Sequence, residues 1–402
     1  DEDASAIILT GSPVAGRFTF PKGVDHIRLP GVTKLADGSY VAQTLGLDID
    51  EVTSLRAGLI RTAIEEYTPD LLIVDKEPTG FRGELLPSLD WLRENGTTKV
   101  VLGLRDVLDE PEVLAAEWER KGAVEATEKY YDEIWVYGMR DVYDPTKGLP
   151  LSQAAHDRMH WTGYLRREAP DETPPAEEPY VLITPGGGGD GAAMVSLVLD
   201  AYEQDPDLTP NAKLIYGPFL SGDVRDAFDA RVAKLGGRVT ALGFDSRIEQ
   251  LYVGAEGVVC MGGYNTFCEV LSFDKRAVIV PRTVPRLEQW IRASRAAGSV
   301  LPLKPNRRSN SDRGSLSIGS GVVGVLQAMV LVKEQLAPSH APSMAADSNP
   351  SSSEASCVSF ENSCAASWSI VVAATTFASV IALNGTHVRN VPADRAWSPP
   401  PL

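Results

Sequence analysis

The ten residues Cys260–Glu269, CMGGYNTFCE, combine residue types whose spacing suits chemistry. They follow the apolar run GVVC (257–260), which reads as a buried strand, and they lead into EVLSF, which reads as the first turns of a helix. A strand that ends in Gly262-Gly263 and turns into a helix lets an anion approach bare backbone N–H groups at the positive helix end. Glu269 lies one to two turns inside that helix, within reach of the hydroxyls of a ligand whose phosphates rest on the glycines. That geometry suits a nucleotide sugar.

A second segment, ITPGGGGDG (183–191), ends a strand, runs through four glycines and opens a helix at Asp190. Gly186, Gly187 and Gly188 offer a cradle of N–H groups for phosphate. A plain tight turn has little need of four conformationally costly glycines in a row. Read as GxGxxG, Gly186, Gly188 and Gly191 also fit a dinucleotide site and raise an oxidoreductase as a rival. Such a site needs an acidic residue at the end of the second strand to hold the ribose. Here AKLIYG (212–217) runs into Pro218-Phe219, and Asp205 and Asp207 precede that strand, which weakens the rival. PRTVPRLEQWIRA (281–293) brings Arg282, Arg286, Glu288 and Gln289 to the end of the last strand, where open α/β sheets bind ligands. A charged, capped helix start explains those four residues at least as well.

The elements that must carry these segments alternate. SAIILTG (5–11), VDHIRLP (24–30), PDLLIVD (69–75), TKVVLGLRD (98–106) and DEIWVYG (132–138) read as strands. Helical patterns at 49–67, 84–95 and 111–130 separate them, the first with Val52, Leu55, Leu59, Ile60 and Ala63 on one face and Asp50 as its cap. After a Pro- and Glu-rich stretch the alternation restarts at YVLITP (180–185) and continues to a helix near 287–297. Strands alternating with helices imply parallel sheets covered on both faces. The expected fold is therefore α/β, with two Rossmann-like doubly wound domains. The expected boundaries are 1–165 for the first domain, 166–178 for a linker, 179–298 for the second domain and 299–402 for a disordered tail. In that last stretch charged residues become sparse, Ser and Pro are common, and the alternation stops. AASWSIVVAATTFASVIAL (365–383) is uncharged and near membrane-spanning length, yet rich in Ala, Ser and Thr, so a loosely packed tail is the favoured reading.

Composition narrows the classes. The chain has 402 residues, 43% hydrophobic and 23% charged, as in a water-soluble globular protein of two or three domains. A formal charge of −16 argues against nucleic acid as a partner and gives no help at an anionic lipid surface. Four cysteines without a CxxC pair suit a reducing compartment.

The order strand–GGGGDG–helix followed by GFDSRIEQLYVGAEGVVCMGGYNTFCEVLSFDKRAVIVPRTVPRLEQWIRA resembles the donor half of a two-domain GT-B glycosyltransferase. It is similar to the MurG-like group, and closer to the bacterial predicted glycosyltransferases related to it. TGSPVAGRF (10–18), PDLLIVDKEPTG (69–80) and LGLRDVLDEP (102–111) also resemble that group, so the likeness spans about Ile7 to Ala297. The resemblance implies inverting, metal-independent transfer of a hexosyl or N-acetylhexosaminyl group from a nucleotide diphosphate sugar, UDP-linked, to a glycan or lipid-linked acceptor in polysaccharide biosynthesis. It also implies a cytoplasmic enzyme, peripheral to the inner face of the membrane, with no cofactor and no metal. Gly262, Gly263, Tyr264, Asn265 and Thr266 would sit by the diphosphate, Glu269 by the ribose, Glu288 and Gln289 by the sugar, and Phe244 by the base. Helix N-termini aimed at a departing diphosphate stabilise its charge without a metal.

Two departures from the group's pattern shape the expectation. The group opens with a strand and a Gly-rich loop carrying a histidine, the expected general base, and that segment is not among these residues, so the first domain is expected to be truncated at its start. The group also ends its donor domain with further helices where the tail stands here. The chain as given is therefore expected to fold, with its activity in question. A nucleotide-sugar epimerase on the same fold and a non-catalytic nucleotide-binding fragment are the alternatives.

Weaker signals have plainer explanations. His156 and His160 are four apart but lack the glutamate and third ligand of a metal site. His26 sits inside a strand pattern and reads as structural. The D-x-D triples at 1–3, 48–50 and 205–207 suit capping and turns. For Arg105 and Asp106, ending a strand at the presumed cleft, a functional role and an ion pair stand about level.

Overall fold

The computed structural model describes residues 5–35, 39–170, 178–187, 189–299 and 380–384. In the first domain the chain runs β1 (Ser5–Thr10), β2 (Val24–Arg28), a small hairpin of β3 (Val32–Lys34) and β4 (Tyr40–Ala42), and then α1 (Ile49–Tyr67). It continues with β5 (Leu71–Asp75), α2 (Leu86–Asn95), β6 (Lys99–Arg105), α3 (Pro111–Arg120) and α4 (Ala123–Tyr130). β7 (Glu133–Tyr137), α5 (Gln153–Asp157) and β8 (Met159–Trp161) complete it.

The second domain is β9 (Tyr180–Thr184), α6 (Ala192–Gln204), β10 (Asn211–Ile215), α7 (Gly222–Val232), β11 (Val239–Leu242), α8 (Ile248–Gly254), β12 (Gly257–Cys260), α9 (Tyr264–Ser272), β13 (Arg276–Ile279) and α10 (Glu288–Ser299). Its sheet has the order β11-β10-β9-β12-β13, every pair parallel. The winding direction reverses between β9 and β12, and open α/β sheets bind ligands outside the strand ends at such a switch point. Two apolar clusters cover its two faces, one around Leu182, Tyr252 and Phe267, the other around Ile183, Leu199 and Leu214.

With β14 at Val380–Asn384, the first domain's sheet has the order β2-β1-β14-β5-β6-β7-β8. All of its strands run parallel except β14 (Val380–Asn384), which pairs antiparallel with β1 on one side and β5 on the other. Those five residues fall in the stretch expected to be a disordered tail. Their backbone instead completes the ladder at the sheet's centre, where an open gap would leave two rows of N–H and C=O groups unpaired. The rest of that tail, including most of the apolar run 365–383, lies outside the described residues. No described helix is long and apolar enough to cross a membrane.

Three local expectations also change. The cap of α1 is Asp48, not Asp50: Asp48 accepts from the N–H groups of Asp50 and Glu51, and Glu51 returns a bond to the Asp48 N–H, closing a capping box. The buried face of α1 is Val52, Arg56, Ile60 and Ile64, while Leu55 and Leu59 are exposed. The helix is rotated because Arg56 goes inward, giving two bonds of 2.5 and 2.7 Å to the buried Glu84 and a third to the Pro30 carbonyl. A charge pair with its hydrogen bonds filled can occupy a core position that the hydrophobic pattern gave to leucine. The helix expected over 111–130 breaks at Gly122, whose φ of 62° is left-handed and starts α4 on a new axis.

Candidate functional site

The two glycine segments meet at the switch point of the second sheet. The loop after β9 and the turn after β12 leave from adjacent parallel strands, Thr184 lying opposite Cys260. Their closeness extends to the helices, since a Cβ on Gly186 would stand 3.4 Å from the Thr266 hydroxyl.

At the turn, Gly262 has φ 74°, and a Cβ there would sit 2.7 Å from Ile279 Cγ2. Only glycine fits both the backbone and the space. Gly263 is the N-cap of α9, has ordinary φ, and would place a Cβ in open space. No side chain caps α9, and the first turn of a helix carries the positive end of its dipole. Helix α6 likewise starts at Gly191 with no side-chain cap. It begins two residues after Asp190, which was expected to open it; Asp190 instead pairs with Arg282 at 2.5 Å, tying the glycine loop to the end of β13.

The glycine loop is also shaped by packing. Gly186 has φ 85°; a Cβ on Gly217 would collide with the Gly186 carbonyl, and one on Gly191 with Pro185. A Cβ on Gly189 would stand 3.0 Å from the Phe219 carbonyl oxygen. Gly187 is half-buried beside them, and Gly188 lies outside the described residues. The end of β10 thus offers a glycine in close approach where a dinucleotide site would need its ribose-binding acid.

Of the remaining expected residues, Tyr264 and Thr266 are buried and Asn265 is half-buried on the first turn of α9. Tyr264 stacks on Tyr164 with ring centroids 6.4 Å apart, and the guanidiniums of Arg105 and Arg292 lie over its ring at 5.9 and 5.7 Å. Glu269 is half-buried, and burial pushes its carboxyl up to about 7 against the opposing pull of Arg167 and the Tyr252 hydroxyl. Phe244 sits edge-on to Phe18 at 5.5 Å, with Arg17 over its ring at 5.7 Å, so it meets the first domain. Glu288 accepts from Arg282 at 2.6 Å, and Gln289 Oε1 accepts from the Arg282 N–H at 3.0 Å. The second carboxylate oxygen of Glu288 is buried without a donor.

The sequence reading did not single out Arg292. Arg292 lies on α10, its side chain 1% exposed, and donates to both oxygens of Asp106 (2.7–3.1 Å) and to the Gly262 carbonyl at 2.8 Å. Burial alone would lower its pKa; the Asp106 carboxylate outweighs that and raises it. One side chain thereby joins the glycine turn of the second domain to the end of β6 in the first. Leu287 N–H adds a bond to Asp109 at 3.0 Å, and Arg286 pairs with Glu117 at 2.9 Å. The available signal was an arginine on the apolar side of a short helix, four residues from Glu288. Arg105 and Asp106 both resolve as ion-paired, Arg105 with Asp75 at 3.3 Å.

His156 is on α5 and His160 on β8, so they share no helix face. No cluster of potential metal ligands occurs among the described residues. His26 lies on β2 against Phe20, ring centroids 5.0 Å apart. Asp205 caps its own loop by accepting from the Asp207 N–H; the triple at 1–3 lies outside the described residues. A surface groove runs along the outer face of α1, lined by Ile27, Leu55, Leu59 and Ala63, away from the glycine turns.

No protein-family model matches the chain, and no curated protein matches it. Among solved structures, a kitacinnamycin glycotransferase is 15% identical, over 69% of this chain and 72% of that one, with a TM-score of 0.43. MurG of Acinetobacter baumannii is 17% identical over 67% of each chain, with a TM-score of 0.39. Anabaena Alr3699/HepE, solved in complex with UDP-glucose, is 16% identical over 56% of this chain and 62% of that one, with a TM-score of 0.38. These are likenesses of fold. The strand orders themselves carry the conclusion that the chain is built of two Rossmann-like α/β domains in series, as expected from the sequence.

Proposed function

We propose that the chain binds a nucleotide diphosphate sugar at the switch point of its second sheet and belongs to a glycosyltransferase. The observation that carries the reading is the uncapped N-terminus of α9, open to solvent at Gly263 and facing the glycine loop after β9. The loop after β9 and the turn after β12 leave adjacent strands and each leads into a helix without a side-chain cap, a setting suited to a doubly charged diphosphate. Gly186, Gly187 and Gly188 border it on one side, and Gly262, Gly263, Tyr264, Asn265 and Thr266 on the other. Glu269 lies one to two turns along α9, at the depth of a ribose. The unfilled oxygen of Glu288 offers an acceptor for a sugar hydroxyl, with Gln289 beside it and Phe244 toward the base.

In transfer, the bond between the anomeric carbon and the diphosphate breaks as an acceptor hydroxyl attacks the opposite face and gives up its proton to a base or to water. Charge builds on the departing diphosphate, where the α9 N–H groups would stabilise it; losing one such donor costs on the order of 100-fold in rate. The reading extends to a UDP-linked hexosyl or N-acetylhexosaminyl donor, to a glycan or lipid-linked acceptor, and to work at the cytoplasmic face of a membrane.

Calorimetric titration with UDP, GDP, dTDP and NAD tests it. UDP or another nucleoside diphosphate is expected to bind, and Glu269→Ala to weaken it about ten-fold, the loss of one charge-assisted bond. Tight NAD binding with no nucleoside diphosphate binding sinks the proposal. Isomerised sugar formed from a bound nucleotide sugar without any acceptor assigns the site to an epimerase instead.

A further inference from the structure

Like every trans peptide, the one joining Gly262 to Gly263 carries its carbonyl oxygen and its N–H on opposite sides. The Gly262 oxygen points inward and accepts from Arg292 Nη1 at 2.8 Å. The Gly263 N–H therefore points away from that buried guanidinium. No described group accepts from it, and a Cβ on Gly263 would meet nothing within 4 Å. A peptide flanked by two glycines flips readily, because neither residue disfavours a left-handed φ. Turned over, this one would present an oxygen instead of a donor to an anion, and would set its N–H against a guanidinium. Arg292 selects the orientation that leaves a donor free.

Arg292 is itself fixed from the first domain. Both oxygens of Asp106 hold its guanidinium at 2.7–3.1 Å, and both side chains are almost wholly buried. The Asp106 carboxylate also accepts from the Val107 N–H at 2.8 Å, and a Cβ on Gly138 would stand 2.6 Å from the Asp106 Cβ, so the side chain is packed in place. The residue after the glycines is gripped as well. The guanidiniums of Arg105 and Arg292 lie over the Tyr264 ring at 5.9 and 5.7 Å, and Arg105 pairs with Asp75 at 3.3 Å. Two consecutive residues at the end of β6, Arg105 and Asp106, thus constrain the turn on either side of the Gly263 N–H.

We propose that Asp106 is a positioning residue for the anion site of the other domain. Through Arg292 it locks the Gly262–Gly263 peptide with the Gly263 N–H turned to the ligand, so nucleotide affinity in the second domain depends on a carboxylate of the first. The lock rests on the geometry of the turn; the identity of the anion, a nucleoside diphosphate, rests on the function proposed above.

A single change at Asp106 or Arg292 leaves a buried charge unpaired and confounds affinity with stability. The informative variant is the pair Asp106→Leu with Arg292→Met, which removes both charges together with the donor to the Gly262 carbonyl. Calorimetry with UDP on the full chain compares it with Arg292→Lys, whose ammonium keeps three donors for Asp106 and the carbonyl. The apolar pair is expected to bind UDP about ten-fold more weakly, the loss of one charge-assisted bond, even where its Tm recovers; Arg292→Lys is expected to stay within about three-fold of wild type. A junction with only a structural role would let affinity recover along with Tm. UDP affinity in the apolar pair within about two-fold of wild type overturns the proposal. The amide resonance of Gly263, followed by NMR as inorganic phosphate is added, reads the lock without a nucleotide. If wild type binds no UDP but phosphate shifts its Gly263 amide and leaves that of the apolar pair unmoved, the function proposed above fails and the lock stands. The same response in both proteins, or none in either, overturns it.

Discussion

Replacing Asp106 with Asn is expected to destabilise the chain far more than a surface substitution would. The Asp106 and Arg292 side chains are 2% and 1% exposed, and three bonds of 2.7–3.1 Å join them. Asn keeps the shape but removes the charge, leaving the Arg292 guanidinium buried with only the Gly262 carbonyl as a full acceptor. Breaking one side of a buried pair typically costs about 3–5 kcal/mol, against about 0–1 for an exposed pair. At roughly 2–4 °C per kcal/mol for domains of this size, Tm should fall by about 10 °C. Arg292→Met should cost a similar amount. The double variant Asp106→Leu with Arg292→Met should recover much of the loss, because no unpaired charge remains and the two sites couple. Urea unfolding followed separately by fluorescence and circular dichroism measures the cycle and shows whether both domains respond. A single Asp106→Asn variant within about 1 kcal/mol of wild type would refute the reasoning, since it would mean that water reaches the pair and the domains are not joined through it.

Gly263→Ala is expected to leave Tm within about 2 °C, because its Cβ enters open space at an ordinary φ, yet to weaken nucleoside diphosphate binding at least ten-fold by filling the volume above α9; calorimetry reads both halves. Gly262→Ala is expected to do the reverse in stability, losing about 1–3 kcal/mol to the left-handed backbone and the Ile279 contact, as thermal melting would show. Glu269 holds its proton more tightly when folded, near 7 against an ordinary 4.5. Its contribution to stability is therefore full below about 4.5 and lost as pH rises through about 7. Glu269→Gln should flatten that part of the stability–pH curve, and an unchanged slope in the variant would locate the titration elsewhere. Because the ionised carboxylate is the better hydrogen-bond acceptor, UDP affinity in the wild type should rise across the same pH window and stay level in Glu269→Gln.

Much of the fold was legible because its signals are local. Apolar runs such as LLIVD and GVVC, set between amphipathic stretches, read as parallel strands from periodicity alone, and the Gly262-Gly263 turn could be placed because a positive φ leaves a compositional mark. The inward turn of Arg56, and with it the exposure of Leu55 and Leu59, was not legible: it depends on Glu84, which is distant in sequence. The strand at Val380–Asn384 escaped for the same reason, since four apolar residues and an asparagine in a Ser-rich segment acquire meaning only from the gap between β1 and β5.

The sequence by itself determined the alternation of strands and helices, the two glycine turns, and the glutamate one to two turns into α9, all consequences of backbone geometry within a few residues. Only the tertiary structure decided that both turns leave from adjacent strands and that Arg292 joins the Gly262 carbonyl to Asp106. Those outcomes depend on which buried charges meet, and desolvation makes that a property of the packed molecule rather than of any segment.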